Sequence, residues 1–186
     1  MESCEVAVVG GGSAGLMAAA AAAQAGARVE VFERLPGPGR KLCATGGGRC
    51  NLTRHAAAEE IMAAFGKRGR FMAPALEKLD PPGICRYFAG LGVPTASEDG
   101  VHVFAASGRA EDVANALQKD CLKRNVRVRT GERVTSLLIE DGAIRGLEAR
   151  GRRIRARAVI LAAGGCSHPA LGSDGSGHAL ARQAGH

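Results

Sequence analysis

Three glycines and one carboxylate carry the first chemical signal in this chain: Gly10, Gly12, Gly15 and Glu33. The glycines stand in Gly10-Gly11-Gly12-Ser13-Ala14-Gly15, directly after the apolar run Val6-Ala7-Val8-Val9. That spacing serves the binding of a dinucleotide pyrophosphate. Gly10 permits a tight turn, Gly12 lets the backbone approach a phosphate, and Gly15 lets the next helix pack against the strand. The helix N-terminus then offers free N–H groups and a partial positive charge to the anion. Glu33 lies 18 residues after Gly15, near the offset at which an acid accepts hydrogen bonds from a ribose 2′-hydroxyl. The same carboxylate repels a 2′-phosphate and so disfavours NADP.

The flanking elements must hold these residues in place. Val6, Val8 and Val9 read as a buried strand, Leu16 to Ala25 as a helix closed by Gly26, and Arg28 to Glu33 as a second strand. These residues leave three readings open: FAD, NAD, or an ordinary βαβ unit that binds nothing. Arg34 to Thr53 reads as a long glycine-rich loop. Loops of that length in a compact domain are usually functional. Its Arg40, Lys41, Arg49 and backbone amides suit a phosphate or a flavin edge. His55 to Leu91 reads as two or three short helices, and Val126 to Ala162 as β-structure with a turn at Asp141-Gly142. Its last run, Ala158 to Ala163, reads as a buried parallel strand ending at Gly164-Gly165, where small residues suit a ligand crevice. Gly172 to Gly177 opens a final helix. Ser173 and Asp174 either cap it or mark a second helix N-terminus aimed at an anion.

Composition bounds the rest. The chain has 186 residues, 46% hydrophobic and 23% charged, in the range of soluble globular domains. Aromatics are 3%, which leaves few platforms for stacking on single-stranded nucleic acid. The net charge is +7, and 20 of the 25 basic residues are arginine. The densest group, Arg150 to Arg157, alternates charged and apolar from Arg153 onward. It reads as a strand with one wet face, with a nucleic-acid patch as the alternative. The six cysteines show no CxxC and no zinc spacing, which fits reduced, structural thiols; Cys43 and Cys50 form a redox pair in the alternative reading. Val6 to Ala27 carries no charge and contains Gly11-x-x-x-Gly15, but its alanines and three adjacent glycines are too weakly apolar for a membrane span. Glu2 and Glu5 contradict a basic signal-peptide start, so a cytoplasmic chain without membrane or nucleic-acid partners is expected.

Taken together, these segments resemble a known family. The carrying stretches are Val9 to Gly15, Gly39-Arg-Lys-Leu42, Thr45-Gly-Gly-Gly-Arg-Cys-Asn-Leu-Thr53, Val103-Phe104 with Arg109-Ala110 and Asp112-Val113, Val159 to Gly165, and Gly172-Ser-Asp-Gly175. They are similar to the bacterial flavoproteins of the aminoacetone-oxidase-like, BaiN/YhiN type, distant relatives of the fumarate reductase flavoprotein. The resemblance runs from Cys4 to the last residue and is most specific over Thr45 to Thr53. It implies an α/β, Rossmann-like FAD-binding domain of the glutathione-reductase and fumarate-reductase type, with a parallel sheet, a β-meander and a small helical insertion. The segments would be 1–55 for the βαβ unit and flavin loop, 56–100 for the insertion, and 101–186 for the remaining sheet, meander and closing helix. It further implies an oxidoreductase acting on a small organic substrate through FAD, with NAD(P)H as a possible electron donor. On that reading Gly10, Gly12, Ser13, Ala14 and Gly15 hold the pyrophosphate and Glu33 the ribose. Lys41, Arg49, Cys50 and Asn51 line the flavin side, and the Val134 backbone meets the adenine. The resemblance assigns no catalytic acid or base; His168 is the nearest candidate. Where relatives commonly carry Tyr, this chain has Cys166-Ser167-His168-Pro169. Relatives also continue well past the position of His186, so the domain is expected to be incomplete at its C-terminus. The alternatives are an NAD-binding dehydrogenase domain or a non-catalytic nucleotide-binding fragment.

Overall fold

A computed structural model describes residues 2–186. The described residues divide into two units, 2–42 with 117–186, and Cys43–Ala116.

The first unit is built on the strands read from the glycine motif. β1 (Glu2–Val9) buries Cys4, Ala7, Val8 and Val9, and β2 (Val29–Glu33) is buried at every position. They pair in parallel, Val6 beside Val29 through Val9 beside Phe32. Strands covered on both faces need such continuous apolar runs. α1 (Ser13–Gln24) connects them and buries Gly15, Leu16, Ala19 and Ala20. Gly26 ends it at φ 90°, its N–H donating to the Ala23 carbonyl at 3.0 Å. β6 (Arg127–Thr130) adds in parallel to β2, and β9 (Arg152–Leu161) adds in parallel to β1 on the other side. β7 (Val134–Glu140) and β8 (Ala143–Ala149) complete an antiparallel meander, turned at Asp141-Gly142 with φ 52° and 73°. Two positive φ values match the twist of a two-residue hairpin. The strand order is β6-β2-β1-β9-β8-β7. Val9, Phe32, Leu137, Leu147, Ile154 and Leu180 share one core cluster. Leu180 belongs to α7 (Ser176–Gln183), which is clipped down by the Leu137 N–H donating to Gln183 Oε1 at 2.8 Å.

Two expectations change. The apolar run at Ala158 is a parallel strand, but it is not buried. β8 pairs with β9 only from Arg152 to Arg155. Beyond that, among the described residues, only β1 flanks the strand, so Ala158 is exposed and Leu161 is 37% exposed. The run from Arg34 to Thr53 is also not all loop. It holds α2 (Arg40–Ala44) and a 3-10 turn over Thr45–Gly48.

The arginines of β9 are spent within the fold. Arg152 pairs with Glu2 and Glu132, Arg153 and Arg155 with Glu140, and Arg157 with Glu5. The alternation therefore reports a strand whose wet face is neutralised by neighbouring carboxylates.

The second unit carries α3 (Ala58–Ala64), a 3-10 turn over Gly66–Met72, α4 (Ala73–Lys78) and α5 (Pro81–Gly90). The Asp80 carboxylate caps α5, accepting from the Gly83 N–H at 2.7 Å. A small antiparallel sheet joins β3 (Thr53–Arg54), β5 (His102–Ala105) and β4 (Thr95–Ala96), in the order β3-β5-β4. The boundary between the units falls within α6 (Ala110–Lys123). His102 is exposed and bound to Asp99, Nδ1 to Oδ2 at 2.6 Å. Among the described residues no helix is long and apolar enough to cross a membrane, and no three His, Cys, Asp or Glu side chains gather as a metal would need.

Candidate dinucleotide site

The three motif glycines do three different things. Gly10 sits at φ 104°, and a Cβ there would press on the Ala162 carbonyl at the end of β9. A Cβ on Gly15 would collide with the Gly10 carbonyl oxygen, so α1 lies as close to β1 as backbone permits. Gly12 is different. Its backbone is extended at φ −75°, and nothing stands within 4 Å of where its Cβ would be. The fold does not need a glycine there; the open space does. Gly12 is also the N-cap of α1. No side chain caps that helix, and its first turn contains no acid. Its leading N–H groups therefore have no side-chain partner and stand open to water or to an external anion.

Around this terminus lies a cavity of about 130 Å³. Gly10, Gly12, Ser13, Ala14, Glu33, Arg40, Lys41 and Gly164 all line it. Gly15 does not; it works beneath, as the contact between helix and turn. A ligand pocket for a drug-sized molecule usually runs to about 300–1,000 Å³, so these walls enclose only part of a dinucleotide. A second, smaller crevice shares Gly10 and Glu33 and includes Val134. The acid and the valine thus flank one opening.

Glu33 is 8% exposed and already holds two backbone donors. Its Oε2 accepts from the Gly11 N–H at 2.6 Å and its Oε1 from the Leu35 N–H at 2.8 Å. It braces the glycine turn against the chain leaving β2. A carboxylate has about four acceptor sites, so ribose hydroxyls remain within its capacity. Lys41 donates Nζ to the Ser173 hydroxyl at 2.7 Å, and Ser173 is 2% exposed. Gly164 lies against this pair: a Cβ there would come within 3.1 Å of Ser173 Oγ and 3.5 Å of Lys41 Nζ.

Asp174 resolves the question of the last helix. Its Oδ1 accepts from the Ser176 N–H at 3.1 Å, and its Oδ2 meets Arg34 and Arg133. The N-terminus of α7 is supplied with a carboxylate from its own chain, which favours capping over an external anion. Hydrogen bonds from Ser176, with Arg133 and Arg34 adding to them, hold the Asp174 carboxyl well below the usual carboxylate range. A carboxyl depressed in the folded state stabilises it above the unfolded pKa of about 3.9 and stops doing so as pH falls through the folded value. Urea midpoints of wild type and Asp174→Asn should therefore differ near neutral pH and converge on acidification below about pH 4. A constant gap down to pH 2 would contradict this.

Arg49, Cys50 and Asn51 lie in the second unit. The Arg49 guanidinium stands 4.4 Å from the Phe104 ring centroid and 3.6 Å from Glu98. Cys50 is buried at φ 58°, inside a run of positive-φ glycines from Gly46 to Gly48. Asn51 is exposed and lines a groove of that unit. Cys43 and Cys50 are free thiols, and burial pushes both pKa values up. A redox-active cysteine needs the opposite shift, so the structural reading of these thiols is favoured. His168 is exposed, and its backbone carbonyl accepts from the Ser173 N–H at 3.0 Å.

A mostly parallel sheet, a glycine turn without a cap and a buried acid at the end of the second strand define a domain of the Rossmann class. Comparison with known proteins narrows the class. The profile of the HI0933-like protein Rossmann domain matches residues 4–186, and the chain belongs to this family. It is 38% identical over 184 residues to the 3-dehydro-bile acid delta(4,6)-reductase of Clostridium scindens, covering 97% of this chain and 44% of that protein. It is 29% identical over 185 residues to the ribosomal RNA dihydrouridine synthase of Escherichia coli K12, covering 100% of this chain and 45% of that one. Among solved structures, the open conformation of a flavocytochrome c3 fumarate reductase matches with a TM-score of 0.73 at 21% identity, over 98% of this chain and 40% of that one. The chain thus spans a little under half the length of the curated relatives it matches.

Proposed function

We propose that this chain is the cofactor-binding part of a cytoplasmic FAD-dependent reductase, with FAD held along the cavity from Gly10 to Gly164. The observation that carries this is Gly12: an unstrained glycine facing open space at an uncapped helix N-terminus. In this reading the N–H groups of Gly12, Ser13 and Ala14 receive the pyrophosphate, and Gly10 and Gly15 keep the helix close enough to present them. Glu33 takes the ribose and the Val134 backbone meets the adenine. Arg40 and Lys41 balance phosphate charge, with Lys41 held in place by Ser173. Bound flavin supplies the hydride chemistry; the protein supplies position and electrostatics.

The residues fit the cofactor on three counts: anion donors without a partner, cations beside them, and a buried carboxylate that disfavours a 2′-phosphate. The names of two relatives describe reductions, one of a bile acid and one that makes dihydrouridine in ribosomal RNA. Reduction of a ring double bond is the reaction class we propose for this chain, with NAD(P)H as its electron donor. Six free cysteines fit a reducing compartment. Titrating the purified chain with FAD and with NAD⁺ tests the assignment. FAD should bind at one equivalent and the tighter of the two. Tighter NAD⁺ binding, or no FAD binding, would overturn it.

A further inference from the structure

The turn between α3 and α4 gathers what a strand of nucleic acid needs. Phe65 is 61% exposed and Phe71 is 91% exposed. These are two of the five phenylalanines in the chain, and none of the other three is an exposed residue. Between them stand Lys67, Arg68 and Arg70, all exposed. Among the described residues none of the three is in an ion pair, whereas the arginines of β9 pair with Glu2, Glu5, Glu132 and Glu140. The turn is built rather than loose. Gly66 takes φ 61°, and Gly69 lies against the Met62 carbonyl with no room for a Cβ. Two glycines thus fix the turn that carries the rings and cations outward. In the same unit is a groove of about 470 Å³ with Ile61, Phe65, Met72 and Leu76 as its apolar wall and Asn51 and Arg54 among its polar groups.

We propose that this turn and groove bind single-stranded nucleic acid. Phosphates are met by Lys67, Arg68 and Arg70, a base stacks on Phe71, and an unstacked base enters the groove beside Phe65. The Arg54 guanidinium there offers donors to a base edge. Cations alone would suit any anion, and exposed rings alone any apolar surface. Their interleaving within seven residues matches a chain that alternates charge and flat bases. A membrane surface calls for a continuous amphipathic helix; this segment is a 3-10 turn interrupted by Gly66 and Gly69. The proposal is independent of the cofactor reading.

Fluorescence anisotropy with labelled RNA and DNA oligonucleotides of about 20 nucleotides tests it, the two arms telling ribose from deoxyribose ligands. The wild type should bind, and more weakly as salt rises. Replacing Lys67, Arg68 and Arg70 together by serine should weaken binding at least about tenfold and flatten the salt dependence. Phe71→Ala removes a ring that packs little on the protein, so the fold should stand while affinity falls about 5- to 150-fold. FAD titration of the same variants should be unchanged, which separates this site from the cofactor site. No binding by the wild type, equal binding by all three proteins, or binding to anionic vesicles in place of oligonucleotides would overturn the proposal.

Discussion

Valine in place of Gly12 is expected to weaken FAD binding by about 1–3 kcal/mol, roughly 5- to 150-fold, while leaving the fold intact. The reason is the asymmetry among the three motif glycines. At Gly12 the backbone is extended at φ −75° and the space beyond it is open. A Cβ there meets no protein atom within 4 Å and strains no dihedral, so the fold should lose no more than about 1 kcal/mol, the cost of an apolar side chain at the N-cap. It would occupy the space through which a pyrophosphate reaches the N–H groups of α1. Gly15→Ala is the contrast. Its Cβ would collide with the Gly10 carbonyl, so α1 must shift, and the fold itself should weaken by about 1–3 kcal/mol or more. Urea denaturation read beside a flavin titration distinguishes the two. A Gly12→Val protein that binds FAD as wild type would remove the pyrophosphate from that helix terminus.

The second large effect belongs to Arg129, far from any ligand role. Its side chain is 8% exposed, and its Nε lies 2.6 Å from Glu30 Oε2, itself 11% exposed. The guanidinium also pairs with Glu2 and stands 5.4 Å from the centroid of the Phe32 ring. Arg129→Met would leave the Glu30 carboxylate buried without its counterion. Breaking a buried pair from one side costs about 3–5 kcal/mol, mostly for the stranded charge. Replacing both partners by apolar residues of similar volume is often close to neutral. The double variant Glu30→Leu, Arg129→Met should therefore recover most of the stability that the single variant loses. Equal losses in single and double variants, measured as urea midpoints, would show that packing of the arginine stem matters more than its charge.

The parts legible in the sequence are those whose cause is local. The strand, glycine turn, helix and second strand declare themselves because backbone sterics, helix propensity and apolar runs act within a few residues. The meander was readable for the same reason: Asp141-Gly142 names its own turn. What escaped depends on distant partners. Glu33 reads as a ribose acid, but its bonds to the Gly11 and Leu35 N–H groups arise only once β1 and β2 lie side by side. The clamp of Arg34 and Arg133 on Asp174 joins three separate segments. α2 has five residues, too few for propensity to reveal it. The run at Ala158 misled because an apolar strand reads as buried whether or not a second strand covers its edge. The basic turn at Phe65 gave no composition signal, since exposure is a property of the fold.

In the proposed function the cavity at Gly10, Gly12, Lys41 and Gly164 receives the dinucleotide part of FAD. Competition binding tests it most directly: the chain is loaded with FAD, and ADP or FMN is added while flavin fluorescence is followed. The cavity contacts belong to the pyrophosphate and adenosine, which ADP shares and FMN lacks. ADP should displace FAD, and FMN should bind far more weakly than FAD. Equal affinity for FMN and FAD, or FAD binding indifferent to ADP, would contradict the account.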